Sequence, residues 1–304
     1  MMETSLPGVS IIIPNYNYAH FLPSCLDSLK CQSYSKWEAF VVDNNSSDPS
    51  QKVVSSAGDP RIKLVNFSND GIIARSRNFG VSLANYPFVA FLDSDDFWHP
   101  EKLSIQMESL RHGWDLSYHG VKLVGNKKHV FSSWGLGHNP TERLLTHGNP
   151  IVTSSVVLKK QFFESVEGFP EDEDFLTVED YYLWLRLAES KAKFFHIPKI
   201  LGYYRIHQSM SSSPRAVESI DHVSTIFLEG MSPLVKKRHL GFVGYDKGLR
   251  HLAQKHWSES LENFVVSARL ATWRFRWRAV VRIIEVWLKA HAVTLRKHGQ
   301  KTAG

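Results

Sequence analysis

Cysteine is scarce in this chain of 304 residues, which contains only Cys25 and Cys31. Two cysteines that fall in one predicted helix cannot build a disulfide framework, and neither has a His or Cys at the spacing of a zinc site. Both are expected to be reduced thiols, as in proteins of a reducing compartment. This scarcity argues against a disulfide-stabilised secreted domain and against a structural zinc module.

Long apolar runs are also lacking. No stretch approaches the roughly 18 apolar residues that indicate a membrane-spanning helix. The short apolar stretch at residues 9–14 does not follow the basic region that opens a signal peptide. The expected location is therefore cytoplasmic, either soluble or peripheral at the cytoplasmic face of a membrane. An apolar fraction of 43% is nevertheless sufficient for a sizeable core.

Acidic residues are rare in the last part of the chain, where most of the net charge of +6 resides. From Leu234 onward, fifteen Lys and Arg residues accompany four Asp and Glu residues, and Trp273, Trp277 and Trp287 lie among the arginines. A basic helix with aromatic residues suits an anionic membrane surface, packing against another domain, or a protein partner. These three alternatives stay open, whereas binding to nucleic acid is not expected.

Strand and helix patterns alternate along the first hundred residues. Short β-branched and apolar runs predict strands, and apolar residues at helical spacing predict the helices between them. The predicted strands are residues 9–13, 38–42, 62–65 and 88–92, and the predicted helices are residues 21–29 and 73–84. Apolar strands that alternate with helices are typical of an α/β protein with a mostly parallel sheet covered on both faces.

Polar residues follow each of the four predicted strands. These segments are residues 14–17, 43–46, 69–71 and 93–96. Ligands of open α/β sheets bind outside the carboxyl ends of the strands. One shared crevice therefore explains the four polar segments better than four unrelated turns.

The acidic segment Asp93-Ser94-Asp95-Asp96 is the sharpest chemical signal. In an extended chain Asp93 and Asp95 point to the same side, and two converging carboxylates repel each other unless a cation lies near them. Mg²⁺ and Mn²⁺ use a few carboxylates and complete their shell with water and phosphate oxygens. An acidic turn that caps the next helix is the alternative, but the position after the fourth strand favours a cation site.

Four ordered motifs resemble those of the family 2 glycosyltransferases, which are inverting enzymes with the GT-A fold. The motifs are residues 9–17, 41–48, 76–80 and 91–96. The resemblance covers residues 8–210 and implies a GT-A domain there, with a mixed, mostly parallel sheet flanked by helices. The rest predicts an all-α extension over residues 215–298, with one tetratricopeptide-like helical pair and then the basic aromatic helix.

The resemblance also implies which residues bind the donor. Pro14 and Tyr16 would flank the base, and Asp43 would hydrogen-bond to it, although this chain has Asn44 where the family often has a second Asp. The other implied donor-binding residues are Asn44, Arg77, Asn78, Asp93, Ser94 and Arg205.

The implied metal site uses the same acidic segment. Asp93 and Asp95 match the metal-binding carboxylates of the family, and related enzymes place a third ligand, a His, at the position of His207. The guanidinium of Arg205 suits the oxygens of a diphosphate. The expected cofactor is therefore Mn²⁺ or Mg²⁺.

Residues 178–187 resemble a family element that carries a Glu-Asp pair at the start of a helix. By that match Asp180 is the general base for the acceptor hydroxyl, and Glu179 lies beside it on the acceptor side. Ser154 and Trp184 are the other acceptor-side candidates. Two acids at a helix N-terminus also interact favourably with the helix dipole, and the helical spacing of Trp184 equally suits core packing.

Together, these implications predict an inverting glycosyltransferase of polysaccharide or cell-surface glycan synthesis. It would move a sugar from a nucleoside diphosphate, with UDP expected, to a hydroxyl of a glycan or lipid-linked glycan. The alternative is a catalytically degenerate GT-A domain that acts as a binding or scaffold protein through its helical tail. The presence of Asp93, Asp95 and Asp180 favours the enzyme.

Overall fold

The computed structural model describes residues 7–125, 130–131, 133–206 and 215–301, and of residues 215–219, 221 and 290–301 it describes the backbone alone. The strands are β1 (Val9–Asn15), β2 (Trp37–Asp43), β3 (Ile62–Asn66), β4 (Phe88–Phe91), β5 (Phe97–Trp98), β6 (Leu116–Val124), β7 (Val130–Phe131), β8 (Val157–Lys159) and β9 (Phe194–Arg205). The α-helices are α1 (Leu22–Lys30), α2 (Ser50–Ser55), α3 (Ile73–Ser82), α4 (Lys102–Arg111), α5 (Pro140–His147), α6 (Lys160–Ser165), α7 (Glu179–Glu189), α8 (Arg215–Leu228), α9 (Pro233–Ala253), α10 (Trp257–Leu270) and α11 (Trp273–Lys301).

The described strands form one mixed sheet in the order β3-β2-β1-β4-β8-β6-β9-β5, and β7 pairs with β6. The first four strands of the order are parallel to one another, as their continuous apolar sequences predict. Every residue of β1, β2 and β4 is buried, so both faces of this half of the sheet are covered. On one face, α3 approaches so closely that a Cβ on Gly80 would lie 2.4 Å from Ile12.

The other half of the sheet is mixed, because β8 runs antiparallel to both β4 and β6. Residues 194–205 form one long strand, β9, which stays paired with β6 through a register shift next to Gly120. Residues 153–159 are divided between two elements. Thr153–Ser155 forms a short 3-10 helix, and only Val157–Lys159 joins the sheet.

The chain folds into two compact units, residues 1–140 with 149–219 and residues 141–148 with 220–304. The expected division at residues 210–215 assigned residues 141–148 to the first domain. In the structure these residues pack with the C-terminal helices instead, since the ring of His239 lies 2.8 Å from the carbonyl oxygen of Leu145 and Arg238 pairs with Glu142 at 3.2 Å.

The second unit contains the predicted helical pair as α9 and α10. A Cβ on Gly248 would lie 2.7 Å from the ring of Phe264, so glycine allows the two helices to touch here. The hydroxyl of Ser260 donates to the carbonyl oxygen of Gly248 at 2.9 Å. Phe264, Ala279 and Val286 then join α10 and α11 in a small core. Within the described residues, no helix combines the length and apolar character that crossing a bilayer requires.

Candidate active site

A cavity of about 480 Å³ lies in the first unit, beside the carboxyl ends of β3 and β4. Its walls come from α3, the loop after β4, the segment before β8, the start of α7 and the end of β9. The polar and ionisable side chains that line the cavity include Arg77, Asp93, Thr153, Glu179, Asp180 and Tyr204. Two of the expected functional acids, Asp93 and Asp180, therefore share one cavity.

Arg77 connects the two sides of this cavity. Its Nη2 donates to Oδ1 of Asp93 at 2.8 Å, and its Nη1 donates to Oε1 of Glu179 at 2.8 Å. The guanidinium is buried, and burial alone would lower the pKa of Arg77, but the carboxylates of Asp93 and Glu179 raise it on balance. We call residues 93–96, which follow β4, the β4 turn. The two ion pairs therefore hold one acid of the β4 turn and one acid of α7 on the guanidinium of Arg77.

Asp180 faces the cavity from the first turn of α7. Burial raises its pKa to about 7, and the neighbouring charge of Glu179 adds to that effect, while Arg77 opposes it. Its Oδ1 accepts a hydrogen bond from its neighbour's backbone, the N–H of Tyr181, at 2.6 Å. Its Oδ2 has only longer bonds, at 3.3 Å each, from Asn149 and Thr153. A carboxyl group with these properties is suited to proton transfer near neutral pH.

The acids of the β4 turn have different environments. The side chain of Asp93 is 26% exposed and lines the cavity. Asp96 is buried, and its two oxygens accept from the hydroxyl of Ser154 at 2.6 Å and from the backbone N–H of Arg205 at 3.0 Å. Burial, followed by the charges of Asp95 and Asp93, raises the pKa of Asp96 well above its usual range. Asp96 is therefore a structural acid that ties the turn to β9.

Negative charge converges on Tyr204. Burial raises the pKa of its phenol, and the acidic groups of Asp93, Asp96, Asp95 and Asp180 raise it further, in that order. Because Tyr204 lines the cavity, the effect on its pKa shows that the charges of the β4 turn and of α7 lie close to the same part of the cavity. This part of the cavity favours cations and hydrogen-bond donors over anions.

A complete set of metal ligands is not found in the described part of the chain, where no three His, Cys, Asp or Glu side chains cluster at metal-binding distances. The expected third ligand, His207, lies outside the described residues. Asp93 and Asp95 still suit a hard cation that takes its remaining ligands from water and a diphosphate, because Mg²⁺ is commonly bound by one or two carboxylates.

Asp43, the expected base contact, is fully buried at the end of β2. Its carboxylate accepts hydrogen bonds from Nδ2 of Asn15 at 2.7 Å, from the backbone N–H and hydroxyl of Ser46 at 3.0 and 2.6 Å, and from Nε2 of Gln51 at 3.1 Å. In this arrangement Asp43 holds the loop after β2 in place, and its contact with a nucleotide base stays a prediction.

The neighbouring donor candidates differ in accessibility. Tyr16 is 57% exposed, whereas Pro14 is buried inside β1. Asn44 uses its side-chain oxygen to accept from the backbone N–H of Asn69 at 3.0 Å, so it joins the loops after β2 and β3. Of these residues, only Tyr16 presents an open surface on which a base can stack.

Asn78 and Ser94 do not face the cavity in the structure. The side chain of Asn78 donates to the carbonyl oxygen of Phe169 at 2.8 Å and accepts from the N–H of the same residue at 3.0 Å, and it also donates to Glu171. Ser94 is 2% exposed. The polar atoms of Asn78 thus bind the backbone of Phe169, and the donor contacts of Asn78 and Ser94 stay predictions.

Arg205, at the end of β9, is held by one hydrogen bond and by contacts with two aromatic rings. Its Nε donates to the carbonyl oxygen of Asp95 at 3.0 Å, and its guanidinium lies over the rings of Phe21 and Phe97 at 4.7 and 5.6 Å. The residue is half-buried, so part of the cation stays accessible next to the acidic turn.

Two of the three acceptor-side candidates are buried in the structure. Trp184 is 0% exposed and packs in the core near Phe169, which is the packing that its helical spacing also allowed. Ser154 is buried, and its hydroxyl accepts from the N–H of Asp93 at 3.1 Å while it donates to Asp96. Ser154 therefore shapes the acidic turn, whereas Glu179 lines the cavity, and the acceptor-side roles of all three residues stay predictions.

Three cavity residues were missed as individual candidates: Asn149, Thr153 and Tyr204. Sequence spacing alone does not tell which side chains of their segments face inward. Because Thr153–Ser155 is a 3-10 helix and not a strand, Thr153 turns to Asp180 while Ser154 turns to the β4 turn.

An acidic cavity beside the carboxyl ends of the parallel strands, with one buried arginine bound to acids from two elements, fits the GT-A class of nucleotide-sugar transferases that the sequence resembles. Comparisons with known proteins agree. The family model described as glycosyl transferase family 2 matches residues 10–154. A β-1,3-glucosyltransferase of Escherichia coli, WfgD, is 32% identical over 69% of this chain and 81% of the relative. The chain belongs to glycosyl transferase family 2 and is a glycosyltransferase.

Other relatives and solved structures give the same result. The amylovoran biosynthesis glycosyltransferase AmsB of Erwinia amylovora is 30% identical over 75% of this chain and 79% of its own length. The crystal structure of Staphylococcus aureus TarS 1–349 is similar with a TM-score of 0.61 and 19% identity, over 92% of this chain and 89% of that one. The mannosyltransferase PcManGT from Pyrobaculum calidifontis has a TM-score of 0.63 and 16% identity, over 96% and 81%. These structures support the GT-A fold.

Proposed function

We propose that this protein is an inverting glycosyltransferase that moves a sugar from a UDP-sugar to a hydroxyl group of a glycan or lipid-linked glycan. The observation that carries the proposal is the shared cavity of Asp93 and Asp180, with Arg77 paired to Asp93 on one side and to Glu179 on the other. One wall of the cavity suits a diphosphate-bound cation, and the opposite wall carries a carboxyl group that can accept a proton.

The names of the similar proteins support the choice of substrates. WfgD is named as an enzyme that uses UDP-Glc and acts on α-D-GlcNAc-diphosphoundecaprenol, which is a lipid-linked sugar. TarS has been crystallised with UDP and with UDP-GlcNAc. We therefore include a UDP-sugar donor and a lipid-linked acceptor in the proposal, together with a working location at the cytoplasmic face of a membrane.

The proposed reaction begins with proton transfer to Asp180. Because its pKa is raised to about 7, a substantial fraction of Asp180 is ionised at neutral pH and yet remains basic enough to accept the acceptor's hydroxyl proton. The freed oxygen attacks the anomeric carbon as the bond to the diphosphate oxygen breaks. Attack from the face opposite the leaving group inverts the configuration, so that an α-linked donor gives a β-linked product.

Asp93 and Asp95 would hold the Mn²⁺ or Mg²⁺ of the donor complex. Such a cation, when bound, neutralises charge on the departing diphosphate. A complex of PcManGT with GDP-Man and Mn²⁺ supports this assignment in a protein of the same fold. In this chain Arg77 already offsets part of the charge of Asp93, which keeps that carboxylate oriented toward the cavity.

Arg77 and Glu179 position the proposed base. Arg77 binds Glu179 and so keeps a negative charge next to Asp180, which raises the pKa of Asp180 beyond the effect of burial. The same guanidinium holds Asp93. We infer that the bridge keeps the donor side and the base side of the cavity in a fixed relation, as in-line attack requires.

The test of this proposal is the variant Asp180→Asn, compared with Asp174→Asn, which changes an exposed acid of the preceding loop. Loss of a general base is expected to lower kcat by about 10²–10⁴-fold. Donor binding, measured by calorimetry with UDP-sugars and Mn²⁺, is expected to persist. Asp174→Asn is expected to retain full activity. A fully active Asp180→Asn enzyme would show that the base lies elsewhere.

A further inference from the structure

Helix α11 carries an apolar surface that is exposed in the second unit. We define the α11 stripe as Trp273, Trp277, Val281, Ile284, Trp287 and Leu288. Their exposed fractions are 82%, 69%, 51%, 55%, 54% and 56%, respectively. Steps of three and four residues place all six on one face of the helix.

The stripe is not the face that holds α11 in its unit. Phe275, Ala279 and Val286 are 7%, 0% and 2% exposed and form the opposite, buried face. The helix therefore has two apolar faces, of which one already completes the small core with Phe264. Contiguous exposed apolar surface of this kind is uncommon in monomeric soluble proteins and marks a site of interaction.

Basic residues border the stripe on both sides. At ~100° per residue, Arg274 and Arg278 follow one border and Arg276 follows the other. Between residues 273 and 289 the only acid is Glu285, which pairs with Lys289 at 2.6 Å and also with Arg282. The surface around the stripe therefore has an excess of positive charge.

The neighbourhood of Arg274 shows how dense this positive charge is. Burial lowers the pKa of Arg274, and the nearby cations Arg278 and Arg143 lower it further. Burial also lowers the pKa of His147 to about 4, helped by Arg143, Arg274 and Arg238. An external anion that approaches such crowded positive charges offsets their mutual repulsion and therefore lowers their electrostatic free energy.

These features select one kind of partner. A second copy of this chain would bring the same arginines against each other, so self-association through the stripe is opposed by charge. A nucleic acid would meet the arginines but would leave Val281, Ile284 and Leu288 without apolar contacts. An anionic bilayer offers phosphate groups and an apolar layer side by side, and tryptophan favours the boundary between them.

We propose that α11 binds along the surface of an anionic phospholipid bilayer, with the α11 stripe at the boundary of headgroups and acyl chains and the bordering arginines at the phosphates. The helix does not have the apolar length to cross the bilayer, so it lies in the plane of the interface. This inference does not depend on the transfer reaction, and either proposal can fail alone.

The experiment is vesicle flotation of the full chain. Vesicles that contain phosphatidylglycerol in phosphatidylcholine are expected to bind the protein, and vesicles of phosphatidylcholine alone are expected to bind it weakly. The double variant W273S/W277S is expected to lower the partition coefficient by at least about tenfold, because it removes two interfacial aromatic anchors. The variant R274Q/R278Q is expected to weaken binding and to reduce its dependence on salt.

The matched control is Leu240→Ser, which removes an exposed apolar side chain of α9, 56% exposed, in the same unit. It is expected to bind vesicles like the wild type. Thermal unfolding and circular dichroism verify that each variant is folded. Equal flotation of W273S/W277S and the wild type overturns the proposal, as does equal binding to neutral vesicles. A dimer in light scattering that W273S/W277S abolishes overturns it as well, because a second copy would then cover the stripe.

Discussion

Asp96 and Asp180 are both acids whose pKa is raised by burial, yet their surroundings differ in one respect. Both oxygens of Asp96 accept short hydrogen bonds, at 2.6 and 3.0 Å, from groups that are themselves buried or part of the backbone. One oxygen of Asp180 meets only two donors at 3.3 Å and faces the cavity. Burial therefore accompanies a supporting role for Asp96 and the proposed role of Asp180 as a base, and access to the cavity distinguishes the two acids.

The largest expected effect on stability concerns Arg77, which connects the β4 turn with the start of α7. Arg77→Gln leaves Asp93 and Glu179 without their shared cation, and breaking a buried ion pair of this kind costs about 3–5 kcal/mol of unfolding free energy. The matched control is Arg75→Gln on the same helix, since Arg75 pairs with Asp70 at the surface and such pairs contribute about 0–1 kcal/mol. Urea denaturation measures both variants, and equal losses would contradict the assigned bridge.

A second effect separates the supporting acid from the reactive one. Asp96→Ala removes the acceptors of Ser154 and of the N–H of Arg205, which costs about 1–3 kcal/mol for buried groups left unpaired. Asp96→Asn is expected to cost less, because an amide oxygen retains an acceptor for that N–H and because burial, which raises the pKa of Asp96, already disfavours the charged carboxylate. Equal stability of Asp96→Ala and the wild type in denaturant titrations would show that Asp96 is no support.

The smallest expected effect refines the environment of Asp180. Glu179→Gln removes the charge that adds to the raised pKa of Asp180, so the pKa of Asp180 is expected to fall. The ascending limb of the pH dependence of kcat/KM then moves to lower pH, while Arg77 keeps its pair with Asp93. A limb that moves to higher pH, or stays in place, would mean that Glu179 does not act on the base through its charge.

The sequence predicted the parts of the site that follow from the order of the chain. The β-branched runs located β1 to β4, and the rule for strand ends brought Asp93 to the mouth of the sheet. Asp180 joined the same cavity because α7 starts where the family-like pattern placed it. These features depend on the periodicity of apolar residues and on the positions of motifs, both of which can be read from the amino-acid sequence.

The sequence did not predict the direction in which individual side chains point. Asp43, Asn78 and Ser154 have the residue types of ligand contacts, but hydrogen bonds within the protein use their polar atoms in the structure. The turn at residues 153–155 decides that Thr153, and not Ser154, approaches Asp180. Such outcomes depend on tertiary packing, since short polar side chains bond equally well to backbone and to ligand.

The α11 stripe shows the same limit in the second unit. The sequence indicated a basic helix with tryptophans and left three partners open, because the burial of each face was unknown. In the structure Phe275 and Ala279 take the inner face, whereas Trp273 and Trp277 remain exposed. Burial, and not composition, therefore distinguishes the core side of α11 from its exposed side.

The pH dependence of kcat/KM in the wild-type enzyme tests the central claim most directly, because it reports the ionisation of the free enzyme's base. Asp180 must lose its proton to act, and its folded pKa of about 7 lies above the usual 3.8. The account predicts that kcat/KM rises with pH along a limb with its midpoint near 7. A profile that is already flat at pH 5, well below that midpoint, would contradict Asp180 as the proton acceptor with a raised pKa.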